Sequence, residues 1–289
     1  MNKTQSLTPE LLHVIRDQGT EPPYSHDYEA VQQGTYLCRQ CGLALFRGDN
    51  QFHSGCGWPS FDIEIPGTVK QIADRDGRRM EILCARCSAH LGHVFTGEQL
   101  TLKNTRHCVN GVSLDFVADQ TVVDTEEAIF AAGCFWGVEA LFKKLPGVLK
   151  TEVGYSGGHK DHPSYQDICQ GDTGHYQVIR VVYDPGKISY QQVVQYFFEI
   201  HDFSQNDGQG PDIGTQYKSR IFYYDQAQYS VATDLIKLLQ QHHYSVATDL
   251  LPIAIFWPAE IYHQDYYAKN GKLPYCHVHK SLFNSLQKF

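Results

Sequence analysis

The sequence predicts two domains of different class. Residues 1–118 read as a small, mainly antiparallel β domain, residues 119–126 as a polar linker, and residues 127–289 as an α/β or α+β domain. Three observations carry this reading. A chain of 289 residues is longer than one ordinary core organises. Six of the nine cysteines fall before residue 110, so the two halves use sulfur differently. The apolar pattern also changes at the linker, from short alternating runs to a strand–helix–strand order.

The first segment opens with a helix near residues 9–16. The stretches GTYLCRQCGLALF, TVKQIADRDGRRMEILCARC and TRHCVNGVSLDFV follow, with DG and PG marking turns between short strands. The second segment begins with the compact apolar run 128–132, a buried strand that Gly133 breaks. After Cys134, Val138, Leu141, Phe142 and Leu145 recur at helical spacing, and Pro146-Gly147 stops that helix. A second strand is expected at 177–183, then a turn at Asp-Pro-Gly and a helix near 190–200. The heptapeptide YSVATDL occurs twice, at 229–235 and 244–250. Two copies are too few for a solenoid, and they read as a local duplication on surface helix.

The formal net charge is −8 with acid and base intermixed, and no basic tract offers a footprint for nucleic acid. The N-terminus lacks an apolar signal core, and the longest apolar runs are too short to span a bilayer. A soluble, cytoplasmic protein with no membrane partner is the expectation. Thiols stay reduced in such a compartment, so paired cysteines there point to metal or catalysis rather than to structural disulfides.

Cys38-x-x-Cys41 and Cys84-x-x-Cys87 are two matched pairs. Four thiolates can close a tetrahedron around Zn²⁺, and a site with four cysteine ligands and no open position is structural. The competing reading makes one pair a redox dithiol. Cys56 then remains in the Gly-rich loop SGCGWPSF beside Trp58, and Cys108 in TRHCVN between Arg106 and Asn110. In a strand, residues 106, 108 and 110 share one face. A neighbouring Arg favours the thiolate of Cys108. His90 and His93, in AHLGHVF, complete a set of Cys, Arg, Asn and two His.

The segments SGCGWPSF, CARCSAHLGHVF and RHCVN resemble the B-type methionine sulfoxide reductase family over roughly residues 5–118. The resemblance implies Cys108 as nucleophile and Cys56 as resolving thiol. It implies His90, His93 and Asn110 as the groups that position and protonate the sulfoxide, and Trp58 as the wall against its methyl group. The family's structural zinc matches Cys38, Cys41, Cys84 and Cys87.

In the second segment Cys134 stands where a strand hands over to a helix, a position that favours a thiolate through free N–H groups and the macrodipole. Phe135 and Trp136 would wall a thioether methyl. GCFWG, with GYSGG, GDTGH, GPDIGTQY and YHQDY further on, resembles the A-type methionine sulfoxide reductase family over about 127–280. That likeness implies an α+β mixed-sheet sandwich and Cys134 as nucleophile. It implies Tyr165 and Tyr217 as donors to the sulfoxide oxygen, Asp212 as the residue holding the site together, and Cys276 as resolving thiol. Cys169 matches no role and reads as structural.

One position departs from the A-type pattern. Where that family has a Glu, in the run Thr-Gly-His-x-Glu, this chain has Gln177. An amide donates a hydrogen bond but gives up no proton, and general acid catalysis is worth about 10²–10⁴-fold. The implied activity is thiol-dependent repair of R- and S-methionine sulfoxide in oxidised proteins or peptides. It proceeds through a sulfenic acid and an intramolecular disulfide and is recycled by thioredoxin, with the A-type half impaired. The alternatives are a methionine-sulfoxide-binding protein with only the B-type half active, and a general disulfide oxidoreductase using a CxxC dithiol.

Overall fold

A computed structural model describes residues 9–25, 33–74, 77–118, 120–272, 274 and 277–286. The chain divides into two compact units, Met1–Thr125 and Glu126–Phe289. The segment 120–125, expected as linker, is held by the first unit. The Val122 amide donates to Thr35 Oγ1 at 3.0 Å, and Thr125 Oγ1 donates to the Gly42 carbonyl at 3.1 Å.

In the first unit a helix, α1 (Pro9–Ile15), precedes eight strands: β1 (Gly34–Cys38), β2 (Ala44–Arg47), β3 (Ser60–Phe61), β4 (Val69–Ala73), β5 (Met80–Cys84), β6 (His90–Thr96), β7 (Thr105–Val109) and β8 (Leu114–Ala118). They form two antiparallel sheets, β2-β1-β8 and β3-β7-β6-β5-β4. Tyr36, Leu45, Phe46, Phe61, Ile82, Leu91 and Val109 share its core. Phe61 is fully buried, stacked on Phe46 at 4.4 Å and edge-on to Tyr36 at 5.0 Å. β4 is mostly exposed and edges its sheet, where Lys70 and Gln71 suit a strand that must not pair further.

The second unit has eight more strands: β9 (Glu126–Ala131), β10 (Val148–Ser156), β11 (Tyr176–Tyr183), β12 (Gly208–Gln209), β13 (Asp212–Ile213), β14 (Arg220–Tyr223), β15 (Asp249–Pro252) and β16 (Trp257–Pro258). Its helices are α2 (Phe135–Phe142), α3 (Tyr165–Gln170), α4 (Tyr190–Glu199), α5 (Gln226–Gln241), α6 (Tyr266–Asn270) and α7 (Phe283–Leu286). Six strands make one mixed sheet in the order β15-β14-β9-β11-β10-β16, and β12 with β13 forms a separate hairpin. The α+β mixed sheet expected from the sequence is observed. β14 and β15 are parallel because α5 crosses between them; the other pairings in the sheet are antiparallel.

The apolar runs of β9 and β11 follow from burial on both faces. Phe130, Ile179 and Val181 enter one cluster, with Phe142 and Phe197, while Ile129, Ala131 and Val178 enter another on the opposite face. The predicted helices after Cys134 and near 190–200 form as α2 and α4. Ser189 caps α4 by accepting from the Gln192 amide in a capping box.

The YSVATDL copies correct one expectation. Residues 229–235 lie in α5, whose start is capped by Asp225, but residues 244–250 are irregular until Asp249 and Leu250 enter β15. There Asp249 and Leu250 pair with Arg220 and Ile221. Sheet hydrogen bonds available to the second copy override the local preference that makes the first a helix.

Phe61→Ala should destabilise the first unit by about 3–5 kcal/mol, because the site is close-packed and cannot collapse around the void. In urea unfolding of the full chain, the transition of the first unit should move and that of the second should stay in place.

Candidate active sites

Cys38, Cys41, Cys84 and Cys87 place their sulfurs within 4.8 Å of one another. Cys38 and Cys87 are 3.7 Å apart, and Cys41 and Cys84 3.6 Å. Tetrahedral thiolates about 2.3 Å from a metal have edges of about 3.8 Å, so the four sulfurs fit one ion. The two turns that present them repeat each other. Cys38 and Cys84 each accept at their carbonyl from the amide four residues on, Gly42 at 2.7 Å and Ser88 at 2.9 Å. Each donates to the carbonyl five residues on, Leu43 at 2.7 Å and Ala89 at 2.9 Å. Gly42 and Ser88 are both left-handed, with φ of 73° and 60°. A CxxC redox dithiol needs its two sulfurs paired with each other; here the close pairs cross between the motifs.

The second sulfur cluster lies on the β3-β7-β6 face. Cys108 of β7 pairs in register with Ser60 of β3 and His93 of β6. Its Sγ is 3.7 Å from Cys56 Sγ, a small movement from a disulfide. At this distance a charge on either sulfur opposes ionisation of the other. Cys56 is drawn down to about 4, first by its contact with Cys108 and also by hydroxyl donation from Ser54 (3.0 Å) and Ser60 (3.5 Å), against burial. Cys108 is pushed up by the same contact and by burial, with Arg106 pulling the other way. Arg106 itself is fixed by a two-pronged pair with Glu98, both contacts 2.8 Å, and lies over the Phe95 ring.

A cavity of about 120 Å³ opens on Cys108, lined by Trp58, Gly92, His93, Phe95 and Asn110 among others. An apolar void of about 150 Å³ accepts benzene, so this one suits a group of four or five heavy atoms such as a methyl sulfoxide. Gly92 lets β6 approach β7 closely here, since a Cβ there would lie 2.1 Å from the Cys108 carbonyl oxygen. His90 and His93, three apart on a strand, would face opposite sides. A bulge between the β5–β6 pairs Ile82↔Gly92 and Leu83↔His90 changes that parity and brings the rings to 5.7 Å. His90 is buried behind the wall, its Nδ1 2.6 Å from Glu81 Oε1 and its Nε2 without a partner among the described residues. Burial lowers its pKa. His93 Nε2 reaches Asp74 at 3.2 Å.

Asn110 is locked on both sides of its amide, donating to the Leu91 carbonyl at 3.2 Å and accepting from the Glu21 amide at 3.1 Å. Glu21 was not foreseen. Its carbonyl accepts from Trp58 Nε1 at 3.1 Å, and its buried carboxylate accepts from the Gly111 and Val112 amides. One residue thus sets both Trp58 and Asn110. Its sequence signal was only a Glu before Pro22-Pro23, far from any cysteine.

In the second unit Cys134 caps α2 after Gly133, whose φ is 90°. Burial pushes the Cys134 thiol up to about 11, and Asp212 adds to this; the amides of Trp136 and Gly137 pull it down. This corrects the expectation from helix position alone: in the resting site, loss of water outweighs the helix start. Gln177 of β11 is buried, and its Oε1 accepts from the Phe135 amide at 3.3 Å.

Phe135 is buried and packs in one cluster with Trp136 beside Cys134. Trp136 stacks on Tyr266 at 3.6 Å and donates from Nε1 to His263 Nδ1 at 2.9 Å. The His263 ring lies 4.5 Å from that of Tyr165. Glu260 accepts from the Tyr165 amide and from the Tyr155 hydroxyl, both at 2.9 Å. Burial pushes Tyr217 up to about 12 and Tyr165 further. Asp212, raised by burial, influences both Cys134 and Tyr217. Glu260, His263 and Tyr266 were unassigned by sequence reasoning, although YHQDY held two of them. Cys169 is exposed on α3 beside Tyr165, so the reading of it as structural fails: an exposed thiol packs no core. Cys276 lies outside the described residues. Its neighbour His277 contacts the Ala132 carbonyl oxygen through Nε2 at 2.6 Å and lies against Gly133 and Gly137.

Two thiols, each half-buried and close to aromatic side chains, stand on unrelated folds and define a cysteine-based reductase with two separate sites. The family described as peptide methionine sulfoxide reductase matches residues 126–288, and that described as the SelR domain matches residues 7–118. A peptide methionine sulfoxide reductase MsrA of Thermus thermophilus is 46% identical over 154 residues, covering 53% of this chain and 88% of that protein. MsrA of Nautilia profundicola is 45% identical over 150 residues, 52% of this chain and 87% of that protein. The structure of reduced Mxr1 from Saccharomyces cerevisiae is 34% identical with a TM-score of 0.51, covering 54% of this chain and 93% of that one. The chain belongs to the peptide methionine sulfoxide reductase family, with a SelR domain ahead of the family's own. It reduces both epimers of methionine sulfoxide, R on the first unit and S on the second.

Because a lowered pKa keeps an anion present above it, a thiolate should persist in the Cys56–Cys108 pair until pH falls through about 4. Iodoacetamide at pH 6, with sites mapped by mass spectrometry, should label the Cys56–Cys108 pair ahead of Cys134, which burial pushes up. Ser54→Ala should slow that labelling.

Proposed function

We propose that each unit works through its own thiol cycle. In the first, Cys108 attacks the sulfoxide sulfur, Arg106 favours its thiolate, and Trp58 walls the methyl group. His93 lines the cavity and His90 stands behind it, so His93 is the closer proton source. Methionine leaves and Cys108 becomes a sulfenic acid, which Cys56 condenses to a disulfide with loss of water. The observation that supports this most is the 3.7 Å gap between Cys56 and Cys108 beside a cavity of sulfoxide size.

In the second unit Cys134 is the nucleophile, Phe135 and Trp136 wall the methyl group, and Tyr165 and Tyr217 donate to the sulfoxide oxygen. Cys276 resolves the sulfenic acid; the seat of His277 against Gly133 and Gly137 supports a tail that reaches Cys134. Gln177 slows the first step. A dithiol protein of the thioredoxin type reduces both disulfides, in a cytoplasmic setting. Zn²⁺ occupies the four-cysteine centre and is structural, supported by sulfur spacings that match a ZnS₄ tetrahedron. The zinc supplies folding energy only; no step of either reaction passes through it.

Epimer-resolved assays with a thioredoxin system test these roles. Cys108→Ser should abolish R-epimer reduction alone, and Cys134→Ser S-epimer reduction alone. Gln177→Glu should raise the S-epimer rate by about tenfold or more, as restoring a general acid allows; equal rates would remove Gln177 from the account. Metal analysis should find one zinc per chain, lost in Cys87→Ser together with a fall in the melting temperature of the first unit.

A further inference from the structure

Gln177 leaves the S-epimer site short of a proton. The sulfoxide oxygen must be protonated as Cys134 attacks, and Gln177 has no acidic hydrogen. Its carbonyl is already engaged by the Phe135 amide. Tyr217 and Tyr165 are held at about 12 and above, where phenols donate hydrogen bonds but are poor acids.

Asp212 is placed differently. It is the first residue of β13 and pairs across the hairpin with Gln209 of β12. Gln209 packs directly on Gly133, the residue before Cys134; a Cβ on Gly133 would meet Gln209 Cβ at 2.4 Å. The hairpin therefore holds Asp212 in register beside the residue that packs on the turn carrying the nucleophile, and its charge is felt by both Cys134 and Tyr217. Its Oδ2 is sealed from solvent and has no hydrogen-bond partner among the described residues. A carboxyl oxygen so placed is costly as an anion and is relieved by holding a proton or by meeting a donor group of the substrate. Glu139 and Glu260, the other acids close to α2 and Tyr165, have their carboxylates occupied by backbone and side-chain donors.

We propose that Asp212 delivers the proton to the sulfoxide oxygen in this chain, the task that residue 177 cannot perform. The inference rests on Cys134 being the nucleophile. The Cys134 thiolate, the sulfoxide and the Asp212 carboxyl become the Cys134 sulfenic acid, the methionine thioether and the Asp212 carboxylate. The cysteine sulfur loses two electrons and the methionine sulfur gains them. The proton that Cys134 released on ionising restores Asp212, so nothing further is consumed.

Single-turnover release of methionine from an S-sulfoxide peptide tests this, using the full chain with Cys108→Ser to silence the first unit. Asp212→Asn should slow release by about 10²–10⁴-fold, the usual worth of a general acid. In the Gln177→Glu background the same change should cost less than about tenfold, because a second acid is then present. A loss below about threefold in the first background, or equal losses in both, would overturn the assignment and leave Asp212 a positioning residue at most. If instead Cys134→Ser still released methionine, the nucleophile assignment would fall, independently of Asp212.

Discussion

Burial disfavours the anion of a thiol, and Cys56, Cys108 and Cys134 all work against that force. Each unit answers it differently. The first sets two sulfurs 3.7 Å apart, with hydroxyls from Ser54 and Ser60 and a guanidinium from Arg106 around them. The second relies on a helix start, and there burial wins in the resting site. In the first site these neighbours favour an anion on the sulfur pair; in the second the amides of Trp136 and Gly137 only partly offset burial.

Close backbone approach is the second recurring device. Gly92 lets β6 pass against the Cys108 carbonyl beside the cavity. Gly133 and Gly137 let Gln209 and His277 lie against the two ends of the Cys134 turn. Any side chain at these positions would push the partner away from the backbone beside the sulfur. The four-cysteine cluster uses local symmetry instead: two turns with the same hydrogen bonds bring four sulfurs together.

The carboxylates around the sites divide the labour. Glu21, Glu81, Asp74, Glu98 and Glu260 are spent on holding other groups still. Among the described residues, Asp212 is the site carboxylate that keeps a sealed oxygen without a donor. Such a group is unfavourable for stability and is retained where the chemistry uses it.

The sequence by itself determined much of this protein. Cysteine spacing picked out four sulfurs that the fold brings within 4.8 Å of one another, because two matched CxxC pairs have few uses other than a shared centre. Apolar periodicity located β9, α2, β11 and α4, because strands buried on both faces and amphipathic helices leave distinct patterns. Motif runs pointed to Cys56, Cys108 and Cys134. Tertiary structure decided what depends on contacts distant in sequence. A bulge set His90 and His93 on one side, which their spacing argued against. Glu21 and Glu260 became anchors only once folding brought them to Asn110 and Tyr165. Desolvation, a property of the folded surroundings, set Cys134 against its helix. One heptapeptide became helix in one place and strand entry in another, because the hydrogen-bond partners of the second copy come from β14.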